Sequence, residues 1–326
     1  MIPTNRPDVQ AYPPPPADFG PLTATAEQLQ HYGFPPRPSS DDPKAMALWQ
    51  QMVEGLHNRI IPKFGTSNHY HMPVRDLQLS AWAETNAPQH ATSTNWSGQA
   101  IVQNTVPLIQ ALGVWTVPSV LPPQGVNCSG SAEQGWFSSD WVGLDGADNR
   151  SNDLVQAGTE GDAFCANGRD SFDYHPWWEW IPQPETPIIN FFILPGDAFA
   201  TEVVAIDATH AQFVMIDLTS GDGASFRVTA PSGAQFVGVS AEWIHEATTV
   251  NGKVSVLPQY GAMSFTAMDA EDTGQKTYTP GAPSNAVDLN ITLVDASNKP
   301  ASIPHLLGND TQWVFSASGN KTLFGQ

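Results

Sequence analysis

From Thr94 onward, apolar and polar positions alternate in short runs broken by Gly, Pro, Asn and Asp, which is the period of strands that bury one face. The runs cover residues 100–102, 111–117, 136–144, 188–194, 200–206, 212–218, 225–229 and 235–244, and residues 287–294 and 312–315 are strand-like as well. Thr219-Ser220-Gly221-Asp222-Gly223 reads as a hairpin turn between two of them. Strands recurring at about 8–12-residue spacing, with no helical period among them, predict an all-β fold. The expected architecture is an antiparallel two-sheet sandwich of the lectin-like, concanavalin A type rather than a βαβ fold.

The first 90 residues follow another pattern. Thr25-Ala26-Glu27-Gln28 is a capping box, followed by Leu29, Tyr32 and a stop at Gly33, which predicts a short helix. Asp42 can cap a second helix with Pro43 at its first position, and Met46, Trp49, Val53, Leu56 and Ile60 recur at helical spacing. That predicts a helix over 46–60 whose apolar stripe must bury against something. The chain therefore divides into an N-terminal extension with two short helices, residues 1–90, and a β-sandwich, residues 91–326.

Charge narrows the possible partners. The 326 residues carry 13 Lys and Arg against 32 Asp and Glu, a formal net charge of −19, so no clustered basic surface is available for nucleic acid. No apolar run is long enough to span a membrane. Six of the bases and eight of the acids fall in the first 90 residues, which leaves the extension nearly neutral and the sandwich strongly acidic. Few bases also mean little self-repulsion in acid. Cys128 and Cys165 lack zinc spacing, so they form either one disulfide or two buried thiols; the bridge is expected, closing a loop of about 37 residues.

Several chemistries find no support. A nucleophile elbow, paired Asp-Thr/Ser-Gly loops, a His-Glu-x-x-His metal motif and a phosphate-cradling glycine loop are all missing from the sequence. His69-Tyr70-His71 reads as a solvated His pair rather than a chelate. Carboxylates, amides and aromatics remain, concentrated in Trp141-Val142-Gly143-Leu144-Asp145-Gly146, Leu154-Val155-Gln156-Ala157-Gly158, Trp177-Trp178-Glu179-Trp180-Ile181-Pro182 and Ser240-Ala241-Glu242-Trp243-Ile244. Strand parity puts Trp177 and Glu179 on one face and Trp178 and Trp180 on the other, and it places Ser240, Gly238 and Phe236 on the face of Glu242.

These four segments, in this order after Thr94-Asn95-Trp96-Ser97-Gly98 and running to about Met268, resemble the glutamic peptidases, the eqolisin family of acid-acting endopeptidases. The resemblance implies a sandwich fold and a catalytic dyad of Gln156 and Glu242, with Trp141, Trp177 and Glu179 in support and Asp145 in the adjoining substrate-side segment. It implies polypeptide substrates, no cofactor or metal, a monomer and a secreted or extracytoplasmic setting, although residues 1–7 hold no leader-like apolar run. The match departs from the family at Val155 and Ala157 around the Gln and at His175, where several members carry Asp. Family precedent makes residues 1–90 a propeptide. The capped helix favours a segment that stays folded on the sandwich, with cleavage near 91–94 as the alternative. The competing reading is a carbohydrate-active or lectin-like sandwich, with Glu242 and Glu179 as the acid and nucleophile of a glycosidase.

Overall fold

The structure, a computed structural model, describes every residue except 40–41, 75–76, 78–87, 104, 283, 308–311 and 318–326. One layer of the sandwich runs in the order Val287–Val294, Trp96–Val102, Ser240–Ala247, Gln134–Leu144, Val155–Ala166, Arg169–Trp180 and Thr186–Pro187. The other runs Gln312–Ala317, Ala262–Asp272, Leu108–Thr116, Ala198–Asp207, His210–Asp217 and Asp222–Thr229. Pro300–Leu307 joins the layers along one edge by pairing with Val287–Val294 and Gln312–Ala317. The sandwich expected from the alternating pattern is thus the fold, and the Thr219–Gly223 turn sits between the strands it was expected to join.

The layers bury one aromatic-rich core that includes Trp115, Trp178, Trp180, Trp243, Phe199, Phe213, Phe226 and Phe265. Two of the buried indole N–H groups find partners across the core. Trp243 donates to the Leu112 carbonyl at 2.7 Å and Trp115 to Thr159 Oγ1 at 3.0 Å, which pins the layers in register. Cys128 and Cys165 form the expected disulfide at 37 residues' separation. A cross-link of that span stabilises by about 4 kcal/mol in the chain-entropy model. Cys128→Ser with Cys165→Ser should lower the unfolding free energy by about that amount in equilibrium denaturation, and a reductant should give no further loss.

Three local expectations are corrected. The 188–194 run is not a strand: the chain turns with Phe191 N–H on the Ile188 carbonyl, burying Ile188, Phe191 and Ile193 while Ile189, Phe192 and Leu194 stay exposed. The 235–244 run becomes a strand only at Ser240, because Gly238 has φ +85° and the N–H groups of Val237, Gly238 and Val239 all turn to Asp145. Phe236 and Gly238 therefore do not share a strand face with Glu242. The second helix is Pro43–Gly55 rather than 46–60. It stops where His57 and Asn58 N–H both bond the Gly221 carbonyl, and Asn58–Ile60 then pairs in parallel with the strand from Asp222.

The extension is built into the sandwich. Asp42 caps the helix as expected, and Leu48 and Met52 pack on Leu112, Val114, Ala200, Val214 and Ile216, the outer face of the second layer. Val9–Ala11 adds a strand beside Asp222–Thr229. After Ile60 the chain crosses to the other layer, where His69–Tyr70 pairs with Thr249–Val250.

Candidate active site

Four strands of the first layer bring the sequence-selected residues into one line. Glu179 stands opposite Gln156, Gln156 opposite Gly143, and Gly143 opposite Glu242. Residues directly opposite in a sheet point to the same face, here the face turned away from the sandwich core. Gly143 matters because it has no side chain between Gln156 and Glu242. A Cβ there would lie 3.0 Å from the Gln156 Cβ and 3.0 Å from the Trp141 ring.

The line repeats one pleat along. Trp177, Gly158, Trp141 and Ile244 form the second row, and His175, Glu160, Ser139 and Glu246 the third. Trp141 donates its indole N–H to Glu246 at 2.9 Å and packs edge-on against Trp96; Trp177 donates to Ser139 at 3.0 Å. The two indoles form a hydrophobic floor between two rows of acids.

Glu242 is fully buried. Its Oε1 accepts from the Gly146 and Ala147 N–H groups at 3.0 Å each, while Oε2 has no partner. Burial pushes its carboxyl up to about 8, with the Asp145 charge adding to the rise and the Ser240 hydroxyl and the two amides opposing it. Gln156 donates through Nε2 to the Glu179 carboxylate at 2.7 Å and to the His71 carbonyl at 2.9 Å, so two acceptors fix its amide orientation and leave Oε1 unpartnered. Glu179 is held well above the usual carboxylate range, chiefly by burial. Two buried oxygens without a hydrogen-bond partner, Glu242 Oε2 and Gln156 Oε1, thus belong to residues that stand on either side of Gly143.

Asp145 is committed to structure. With φ +81° it turns its carboxylate onto the three amides of 237–239, tying that loop to the strand that carries Glu242. His175 stands two rows from Gln156 and bonds Asp173 at 2.8 Å and Glu185 at 3.1 Å.

The His69 and His71 side chains are not solvated. His71 stacks on Trp177 with centroids 3.8 Å apart and 10° between planes, and its Nε2 is 3.0 Å from Glu185. His69 Nδ1 lies 3.2 Å from Glu160. The two imidazoles fold back onto an acidic face that the local pattern around 69–71 does not reveal. Among the described residues, His69, Glu160 and Glu185 offer three potential ligand atoms within 4.8 Å of one another, an arrangement of the kind that can hold a cation. Sequence reasoning also passed over Glu160, Glu185, Glu246 and Gly143. Strand parity was a usable signal for two of them, since Glu160 lies four residues from Gln156, and Glu246 four from Glu242, on the same faces. Glu185, outside those strands, had no such signal.

Comparison with known proteins places this geometry among relatives. The model of the Peptidase A4 family matches residues 94–301. Aspergillopepsin-2 of Aspergillus niger is 25% identical over 240 residues, spanning 69% of this chain and 79% of the relative. Scytalidopepsin B of Scytalidium lignicola is 26% identical over 170 residues, 52% of this chain and 58% of the relative. The crystal structure of scytalido-glutamic peptidase with a transition state analog inhibitor superposes with a TM-score of 0.54 at 19% identity, covering 69% of this chain and 98% of that one, and it shares the fold.

Proposed function

The chain belongs to the peptidase A4, or eqolisin, family and is an acid-acting endopeptidase of polypeptides, and from that premise we propose that Glu242 and Gln156 are its catalytic dyad. One observation carries the assignment: Gln156 Nε2 already donates to a peptide carbonyl, that of His71, on the line that reaches Glu242 across the side-chain-free Gly143. When a substrate carbonyl takes that place, a water in the gap donates to the unpartnered Glu242 Oε2 and Gln156 Oε1. Glu242, ionised once water entering the site relieves the burial that raises its carboxyl, takes a proton as the water oxygen bonds the carbonyl carbon, and Gln156 Nε2 stabilises the oxyanion. Glu242 then passes the proton to the amide nitrogen as the C–N bond breaks, leaving a carboxyl group and an amine. Glu179 positions the Gln156 amide, and Trp141 and Trp177 exclude water around the row.

The carbohydrate-active reading is not favoured. Glu179 and Glu242 stand three strands apart, on the order of 14 Å between Cα atoms, and Glu179 is turned onto Gln156. A glycosidase holds its two carboxyl groups about 5–9.5 Å apart. The row is complete within one chain, so a monomer suffices for the chemistry. The disulfide suits an oxidising, extracytoplasmic setting.

Digestion of a denatured protein in acid by wild type and Gly143→Ala tests the geometry. The added methyl group presses on Gln156 and narrows the water gap, so kcat should fall about 10-fold with little change in KM, since small misplacements of reacting groups are costly. An unchanged kcat would place the chemistry elsewhere.

A further inference from the structure

The outer face of the second layer, on the far side of the core from the dyad, carries a carboxyl that the peptidase chemistry does not use. Glu202 is 1% exposed and stands between Leu112 and Val214 of the neighbouring strands. Gln110 Nε2 donates to its Oε1 at 2.7 Å, while its Oε2 has no hydrogen-bond partner. A buried carboxyl with one bare oxygen costs stability until something meets it.

That residue lines a cavity of about 30 Å³, together with Asp269, Glu271, Trp49, Pro36 and Pro38. The sheet supplies the acids. Asp269 stands opposite Leu112, and Leu112 opposite Glu202, so the two carboxyl groups share a face with one apolar side chain between them. Glu271 lies opposite Gln110, two residues along the same strands and on the same face. The extension supplies the apolar walls. Trp49 donates its indole N–H to the Pro35 carbonyl at 2.9 Å, and the helix that carries it packs on the sheet through Leu48 and Met52.

Size and donor set select the ligand. A space of about 30 Å³ holds a group of one or two waters' size, which admits an ammonium and its first methylene but not a guanidinium. The ligand atoms for a bare metal ion are not gathered here; among the described residues, the clusters close enough to share one lie elsewhere. An ammonium carries three N–H donors on one compact charge. Glu202 Oε2 offers it a vacant acceptor, and Asp269 and Glu271 add negative charge. Pro36, Pro38 and Trp49 suit the methylenes behind it, as apolar surface suits lysine stems generally. We propose that this cavity binds a primary alkylammonium group, the head of a lysine side chain or of a free amine, with Glu202 as its principal acceptor. The site is separate from the dyad, and its binding requires no catalysis.

The charges around the cavity set its pH dependence: Glu202, Asp269, Glu271 and Asp272 on the sheet, and Asp42 and Lys44 on the helix. Burial, then the Glu271 charge, holds the Glu202 carboxyl well above the ordinary range. Burial and the Asp42 charge raise Asp269 to about 6, against the Thr279 hydroxyl and Lys44. The empty site is therefore protonated in acid, and an ammonium must displace that proton to meet a carboxylate. Binding tightens as pH rises, because an alkylammonium keeps its own charge up to about pH 10.

The test is titration calorimetry of the full-length protein at pH 5, 6 and 7 with two probes, N-acetyl-lysine N-methylamide and cadaverine. The norleucine analogue serves as the uncharged control, and sodium and tetramethylammonium chloride at matched ionic strength as the salt controls. The ammonium probes should saturate one site, release protons to the buffer, and bind up to about tenfold more tightly per pH unit. Tighter binding of the lysine derivative identifies a polypeptide side chain as the occupant, and tighter binding of cadaverine a free amine; either supports the site. Glu202→Gln keeps an oxygen for Gln110 and should weaken both probes at least about 30-fold at pH 7, as expected for losing one partner of a buried charge pair. If that variant does not fold, the norleucine and salt arms on wild type still decide. Equal binding of the norleucine analogue, an equal response to either salt, unchanged binding by Glu202→Gln, or no saturable site overturns the proposal. Hydrolysis by the same samples is a separate readout, so a failure of the dyad assignment leaves this result standing.

Discussion

Replacing Glu242 by Gln should lower kcat/KM by about 10⁴-fold while leaving the protein folded, because it removes the proton acceptor and donor of both steps. The fold has reason to tolerate the change. Gln keeps an oxygen for the Gly146 and Ala147 N–H groups, and the second oxygen of Glu242 bonds nothing. The same substitution should stabilise the full-length chain at neutral pH. A carboxyl raised from 4.5 to about 8 by burial costs stability wherever the unfolded group is ionised and the folded one is protonated, that is, above about pH 4.5. At pH 7 the cost is about 3 kcal/mol. Denaturation of Glu242→Gln should show a gain of that order at pH 7 and almost none at pH 3. A loss of activity with no gain at pH 7 would mean that Glu242 is not held protonated in the folded chain.

Gln156→Ala should cost about 10³-fold in kcat, the upper range for losing one donor to an oxyanion. Its neighbour Glu179 is left without its 2.7 Å partner but retains the His71 N–H. Gln156→Ala combined with Glu242→Gln should be little worse than Glu242→Gln alone, because groups that act on one water as a unit lose their effects together. Full additivity in single-turnover rates would show that the two residues serve separate steps.

Strand alternation was legible at 136–144, 200–206 and 212–218 and in the second half of the 235–244 run, which carries Glu242, but it marked no run over Val155–Ala166 or Arg169–Trp180, two strands whose small, polar and acidic residues hide the period, so Gln156 was found through the resemblance of its segment. It failed at 235–239, where alternation cannot register that Gly238 sits at positive φ and that three successive amides turn to Asp145. It failed again at 188–194, an apolar run with three residues in the solvent. The helical period likewise ran past Gly55 to Ile60, since a residue that packs on a sheet as a strand can fall on the helical spacing. The acidic pocket around His71 joins parts of the chain 91 and 114 residues apart, from His69 to Glu160 and from His71 to Glu185. No local pattern carries that contact; it exists only once the extension has crossed the sheet.

The most direct test of the dyad is a crystal structure, grown in acid, of the enzyme bound to a peptide-based tetrahedral analogue. The assignment predicts one tetrahedral oxygen about 3 Å from Gln156 Nε2 in the place of the His71 carbonyl, and the other about 3 Å from the Glu242 carboxyl over Gly143. An analogue seated against Glu179 or Glu185, with Glu242 still bonded only to Gly146 and Ala147 and out of reach of the tetrahedral centre, would contradict it.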